Sequence, residues 1–150
     1  MEIKELLDVG NFLASVAAAI GLILVAWQTR ETQKTRQLQA TIAIFDDLGS
    51  EDSRTARKYV YTKLSDFVEN YKDVDRYNAE KVIASLNRAA LFCNTKHVNK
   101  EIIFAMYGEA FVKCWDKLSS YIIEKRKISG AQYASEFENA AKNASKYWKL

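Results

Sequence analysis

The sequence predicts an all-α protein in which one N-terminal transmembrane helix continues into a helical bundle, and three observations carry that prediction. The run Val9–Trp27, VGNFLASVAAAIGLILVAW, holds 19 residues without a charge. At about 1.5 Å per residue a helix of this length reaches roughly 28 Å, close to the roughly 30 Å hydrocarbon core of a bilayer. Beyond it, apolar residues recur at steps of three and four with no strand-like alternation. The chain also contains no proline, so no residue in it removes a helical N–H and breaks the run.

A span in lipid must be helical because each backbone group has to pair within its own segment. A cleavable signal peptide and a buried helix of a soluble domain are the competing readings. A signal peptide wants a basic start and a shorter apolar region, whereas MEIKELLD sets three acids against one lysine. Lys4 alone precedes the span, while Arg30, Lys34 and Arg36 follow it. The positive-inside rule therefore puts the C-terminal part in the cytoplasm, with Trp27 at the inner interface.

This divides the chain into residues 1–27, the N-terminal segment and span, and residues 28–150, a cytoplasmic bundle in which 28–48 continue the first helix. QTRETQKTRQ, residues 28–37, is polar on all sides yet free of Gly and Pro. It is expected to stay helical, as a solvated stalk or as the lining of a wet oligomeric vestibule. Leu38, Ile42, Phe45 and Leu48 then supply an apolar stripe, and Gly49 ends the helix. Ser50 or Asp52 caps a second helix whose Ala56, Val60, Leu64, Phe67 and Tyr71 fall at helical steps. A polar turn over Asp73 to Tyr77 leads to a third helix with Ala79, Val82, Ile83, Leu86, Ala89, Ala90 and Cys93 inward. After a turn at Asn94 to Asn99, a long fourth helix carries Ile102, Ile103, Met106, Tyr107, Ala110, Phe111, Cys114, Leu118 and Ile122. Gly108 within it points to a close helix contact. Past Gly130 a fifth helix presents Tyr133, Phe137, Ala141, Ala144 and Trp148. The aromatic residues Tyr107, Phe111, Tyr133, Phe137 and Tyr147 read as core packing rather than a base-stacking platform.

Composition excludes several chemistries. Of the 22 basic and 19 acidic residues, Lys4, Glu2, Glu5 and Asp8 precede residue 28, which leaves the bundle with 21 and 16 and a net charge of +5. That balance suits nearby anionic lipid, but no dense basic run marks a nucleic-acid footprint. Cys93 and Cys114 are far apart and read as free thiols. One histidine and two distant cysteines make no ordinary zinc site within a chain. The five glycines stand singly, so no phosphate-cradling loop and no G-x-S-x-G elbow is present. Neither a metal nor a cofactor is expected. Asp46 with Asp47, and Glu136 with Glu138, are turned to different helix faces and read as solvated surface.

The remaining polar candidates are Arg88, Asn94 and His97. At about 100° per residue the apolar stripe of the third helix centres near Leu86 and Ala90, with Arg88 nearly opposite. Leu91 and Phe92 also lie on that outer side, so another helix or another subunit is expected to cover it. In such an interface Arg88 needs an anionic or carbonyl partner. A surface arginine with a loop histidine is the competing reading. In the span, Gly10, Ala14, Ala17 and Gly21 form a small-residue strip suited to close helix approach, and Asn11 and Ser15 share a face that can hydrogen-bond between helices or touch water in a pore.

A single span before a small helical domain, with YGEAFVKCWDKLSSYI at residues 107–122, resembles uncharacterised prokaryotic single-pass families. More narrowly, the chain resembles the accessory membrane proteins of type VI-B CRISPR systems, whose anchored domain is a divergent HEPN-like helical fold. HEPN nucleases use an Arg followed by a His in a composite site between subunits. RAALFCNTKH, from Arg88 to His97, is the stretch that matches, with a wider gap than the usual motif. The resemblance implies a homo-oligomeric pore in the bacterial inner membrane that serves antiviral defence by strengthening an RNA-guided RNA nuclease. Two further readings stand beside it. One is a membrane-tethered RNase with His97 as general acid or base and Arg88 holding the scissile phosphate of RNA. The other is a scaffold that tethers a cytoplasmic partner.

Overall fold

The computed structural model describes residues 3–95 and 98–148, with side chains for 11–95 and 98–147. It is all-α, with no strand among the described residues. The elements are α1 (Ile3–Gly49), α2 (Glu51–Thr62), a short 3-10 turn (Val68–Asn70), α3 (Asp73–Asn94), α4 (Lys100–Ser129) and α5 (Ser135–Trp148). The chain forms two units, Met1–Arg36 and Gln37–Leu150.

The first unit is helical from Ile3 onward and belongs to the one helix among the described residues long and apolar enough to cross a membrane. Phe12, Leu13, Ile20, Leu22, Ile23 and Trp27 are all exposed along it, a contiguous apolar surface of the kind that lipid covers. The polar stretch below stays helical because its hydroxyls are satisfied on their own backbone. Thr29 donates to the Val25 carbonyl at 2.8 Å, Thr32 to Gln28 at 2.9 Å and Thr35 to Glu31 at 3.0 Å. Lys34 adds an ion pair to Glu31, one turn away, at 2.9 Å.

In the second unit the foot of α1 buries Thr41, Ile44 and Leu48, while Leu38 and Ile42, expected inside, are exposed. A threonine can take the inner position because its hydroxyl donates to the Gln37 carbonyl at 2.8 Å. Phe45 is half-buried against Tyr107, with ring centroids 5.9 Å apart. The helix ends at Gly49, and Ser50 caps α2 by accepting the Ser53 N–H at 3.2 Å.

Three helix boundaries differ from the periodic pattern, the end of α2 and the starts of α3 and α5. α2 stops at Thr62 rather than continuing to Tyr71. Ser65 accepts the Phe67 N–H at 3.2 Å and holds a turn there, so Leu64 and Tyr71 reach the core from irregular backbone while Phe67 stays exposed. α3 starts at Asp73, so the expected turn over Asp73 to Tyr77 is its opening. Its first-turn acids favour a helix N-terminus, and the Asp75 carboxylate accepts the Lys72 N–H at 2.7 Å.

α4 is capped by Asn99, whose side chain accepts the Glu101 N–H at 3.0 Å. Its buried stripe is Ile103, Phe104, Gly108, Phe111, Cys114, Leu118, Tyr121 and Ile122. Ile102 and Met106, expected on that stripe, are exposed because the buried face is rotated toward Phe104. Gly130, at φ 92°, terminates α4 in a conformation that L side chains avoid. Tyr133 lies in the turn before α5 rather than on it. The core gathers on Phe111, whose ring lies 6.0 Å from Phe104 and 6.1 Å from Phe137, with Trp115 edge-on to Phe137 at 5.6 Å. α4 with α5 is the most extensive pairing, followed by α3 with α2 and with α5. Of the aromatic residues expected in the core, Tyr147 is exposed.

Candidate functional site

Two sets of residues singled out by the sequence are carried by the two units. Gly10, Ala14, Ala17 and Gly21 lie on the unbroken α1, and their spacing places them within about 60° of one another around the helix. A methyl group added at Gly21 would meet nothing within 4 Å. Asn11 and Ser15 occupy the adjoining face and are exposed. Ser15 donates to the Asn11 carbonyl at 2.9 Å. Its proton is therefore used within the helix, and its oxygen remains an acceptor for a neighbouring helix.

The second set surrounds the corner between α3 and α4. Arg88 is exposed on α3, and its Nη1 lies 3.4 Å from an Asp47 carboxylate oxygen on the foot of α1. Asn94, the last residue of α3, donates to the Glu136 carboxylate of α5. The two candidates thus engage acids on different helices, and the fold does not bring them together. His97 lies outside the described residues. Leu91 and Phe92, on the outer side of α3, remain 49% and 39% exposed, so no other described part of the chain covers that side fully.

An open cavity of about 890 Å³ adjoins this corner, lined by Cys93, Asn94, Asn99, Lys100, Phe104 and Lys146 among others. Burial pushes the Cys93 thiol up to about 11 against the opposing influence of Lys100. It is a protonated, weakly nucleophilic group near neutrality. No cluster of three metal-binding side chains occurs among the described residues.

Two polar features escaped the sequence reading. Arg57 is buried on α2, donates through Nη2 to the Leu48 carbonyl at 2.6 Å, and lies 5.8 Å over the Tyr107 ring. It satisfies the open C-terminal end of α1 as a cap residue would. The second is Glu80 on α3. It accepts from Tyr121 at 2.7 Å and from Tyr133, and pairs with Lys125 at 2.8 Å. Burial pushes its carboxyl up, but the bonds from Lys125, Tyr133 and Tyr121 outweigh this and hold it below the ordinary glutamate value. The available signal was position. Arg57 sits three residues before Val60 on the inner stripe of α2, and Glu80 follows Ala79 on α3.

The model of a domain of unknown function, DUF4760, matches residues 15–144. No curated protein and no solved structure matches the chain.

Proposed function

We propose that this chain, which belongs to the DUF4760 family, is a membrane-anchored assembly protein. α1 crosses the bacterial inner membrane, the domain of residues 37–150 lies in the cytoplasm, and copies gather through the span into a pore-forming oligomer. The observation that carries this reading is the strip of Gly10, Ala14, Ala17 and Gly21 on a lipid-length helix, with open space at Gly21. Apolar helices gain little from burial against each other in lipid, so close packing at small residues supplies the association. The basic flank at Arg30, Lys34 and Arg36 supports the orientation. The resemblance to CRISPR accessory membrane proteins supports a role in antiviral defence, where membrane perturbation strengthens an RNA-guided RNA nuclease.

The nuclease alternative rests on Arg88 and His97, of which the described residues include Arg88 alone. Arg88 and Asn94 each face a carboxylate, Asp47 and Glu136, and an incoming phosphodiester would meet that negative charge. The test is reconstitution of the full chain into vesicles loaded with a quenched dye. Release that rises with protein density supports the pore. Vesicles that stay sealed at every density contradict it.

A further inference from the structure

The surface between the 3-10 turn, the start of α3 and the second half of α4 carries an open groove of about 780 Å³. Its apolar wall is unusually bare, with Phe67 67% and Ile123 54% exposed. Four charged residues line it: Asp66, Glu69, Arg76 and Glu124. Asp66 is held by Lys117 at 2.6 Å, and Glu124 by Lys127 at 2.6 Å. Glu69 and Arg76 have no ion-pair partner among the described residues. The groove therefore offers one apolar centre, one unmatched acid and one unmatched base.

We propose that this groove is a two-fold contact with a second copy of the same chain. In an isologous interface residue i meets j and j meets i. A single patch holding one free acid and one free base beside an apolar centre is therefore complementary to itself. Glu69 of each copy pairs with Arg76 of the other, and the Phe67 rings are withdrawn from water between them. The contact forms between copies held in one membrane rather than between free domains. It acts because the span confines copies to one bilayer, which raises their effective concentration. The proposal rests on the assembly reading and adds to it a second interface, carried by the domain.

The test uses the full chain in membranes, with Ser120→Cys, an exposed position on the groove wall, in every copy and a short bismaleimide crosslinker. The native Cys93 and Cys114 are buried. Crosslinked dimer should form in the otherwise unchanged chain and fall about tenfold with Glu69→Arg alone or Arg76→Glu alone, because like charges then face each other. It should return when both reversals are combined in one chain. It should also return when a Glu69→Arg copy is mixed with an Arg76→Glu copy, since both pairs are then matched. Equal yield in all variants, or loss without either rescue, overturns the two-fold contact. An oligomer by mass that gives no crosslink overturns this contact alone, whereas a monomer by mass overturns the assembly reading with it.

Discussion

The buried Arg57 guanidinium donates through Nη2 to the Leu48 carbonyl at 2.6 Å, while its Nη1 has no hydrogen-bond partner among the described residues. A cation thus sits inside the domain with a helix end as its main compensation. The negative end of the α1 dipole favours it there, and the Tyr107 face 5.8 Å away adds a cation–π contact.

Removing it should be costly. Arg57→Ala leaves the Leu48 carbonyl unsatisfied and a void beside Tyr107, and should lower stability by about 2–4 kcal/mol. Arg57→Met, which keeps the stem volume and removes the unpaired donor, should cost less than Ala. Denaturant unfolding of both variants, followed by circular dichroism, checks the order. Equal stability of Arg57→Ala and the wild type contradicts the role.

Glu80 sets a pH dependence. Its carboxyl is held below the ordinary glutamate value in the folded state, so its contribution is fully present above the unfolded value and fades as pH falls through the folded one. Stability should decline on acidification below about pH 5, and Glu80→Gln should flatten that decline. The effect is modest, because Glu80 is half-open to solvent and screened. Unfolding midpoints measured across that range decide it, and identical slopes for variant and wild type count against it.

The thiols should be slow. Burial raises Cys93 and Cys114 to about 11 each, Lys100 opposing at Cys93 and the Tyr61 hydrogen bond at Cys114. The thiolate fraction near neutrality is then small. A thiol-reactive dye should label the folded chain far more slowly than free cysteine, and label both positions in denaturant. Rapid labelling of the native chain contradicts this.

Much of the fold was legible because long helices announce themselves. α1 ends at Gly49, as the residue type predicts, and Ser50 caps its successor. The failures share a physical cause. Leu64 and Tyr71 keep helical spacing after the helix has stopped, since a turn also delivers apolar residues three or four apart into a core. Asp73 and Asp75 looked like a polar turn, yet acids there also mark a helix start. Thr41 was passed over because its hydroxyl reads as polar until it bonds its own backbone. Arg57 and Glu80 carry no sequence signal of their partners, since nothing in local sequence shows that a helix end or two tyrosines will meet them. Arg88 was legible as an outward residue, but its Asp47 partner 41 positions earlier was not.

The central claim is that copies associate through the small-residue face of the span, and Gly21 tests it most directly. A Cβ added there meets nothing within 4 Å in the single chain, so Gly21→Leu should leave the fold intact and disturb only contact between helices. The measurement is the mass of the full chain in mild detergent, wild type beside Gly21→Leu. The account predicts a large oligomer for the wild type and its dissociation toward smaller species in the variant. A wild type that is monomeric at every concentration, or an oligomer indifferent to Gly21→Leu, would contradict it.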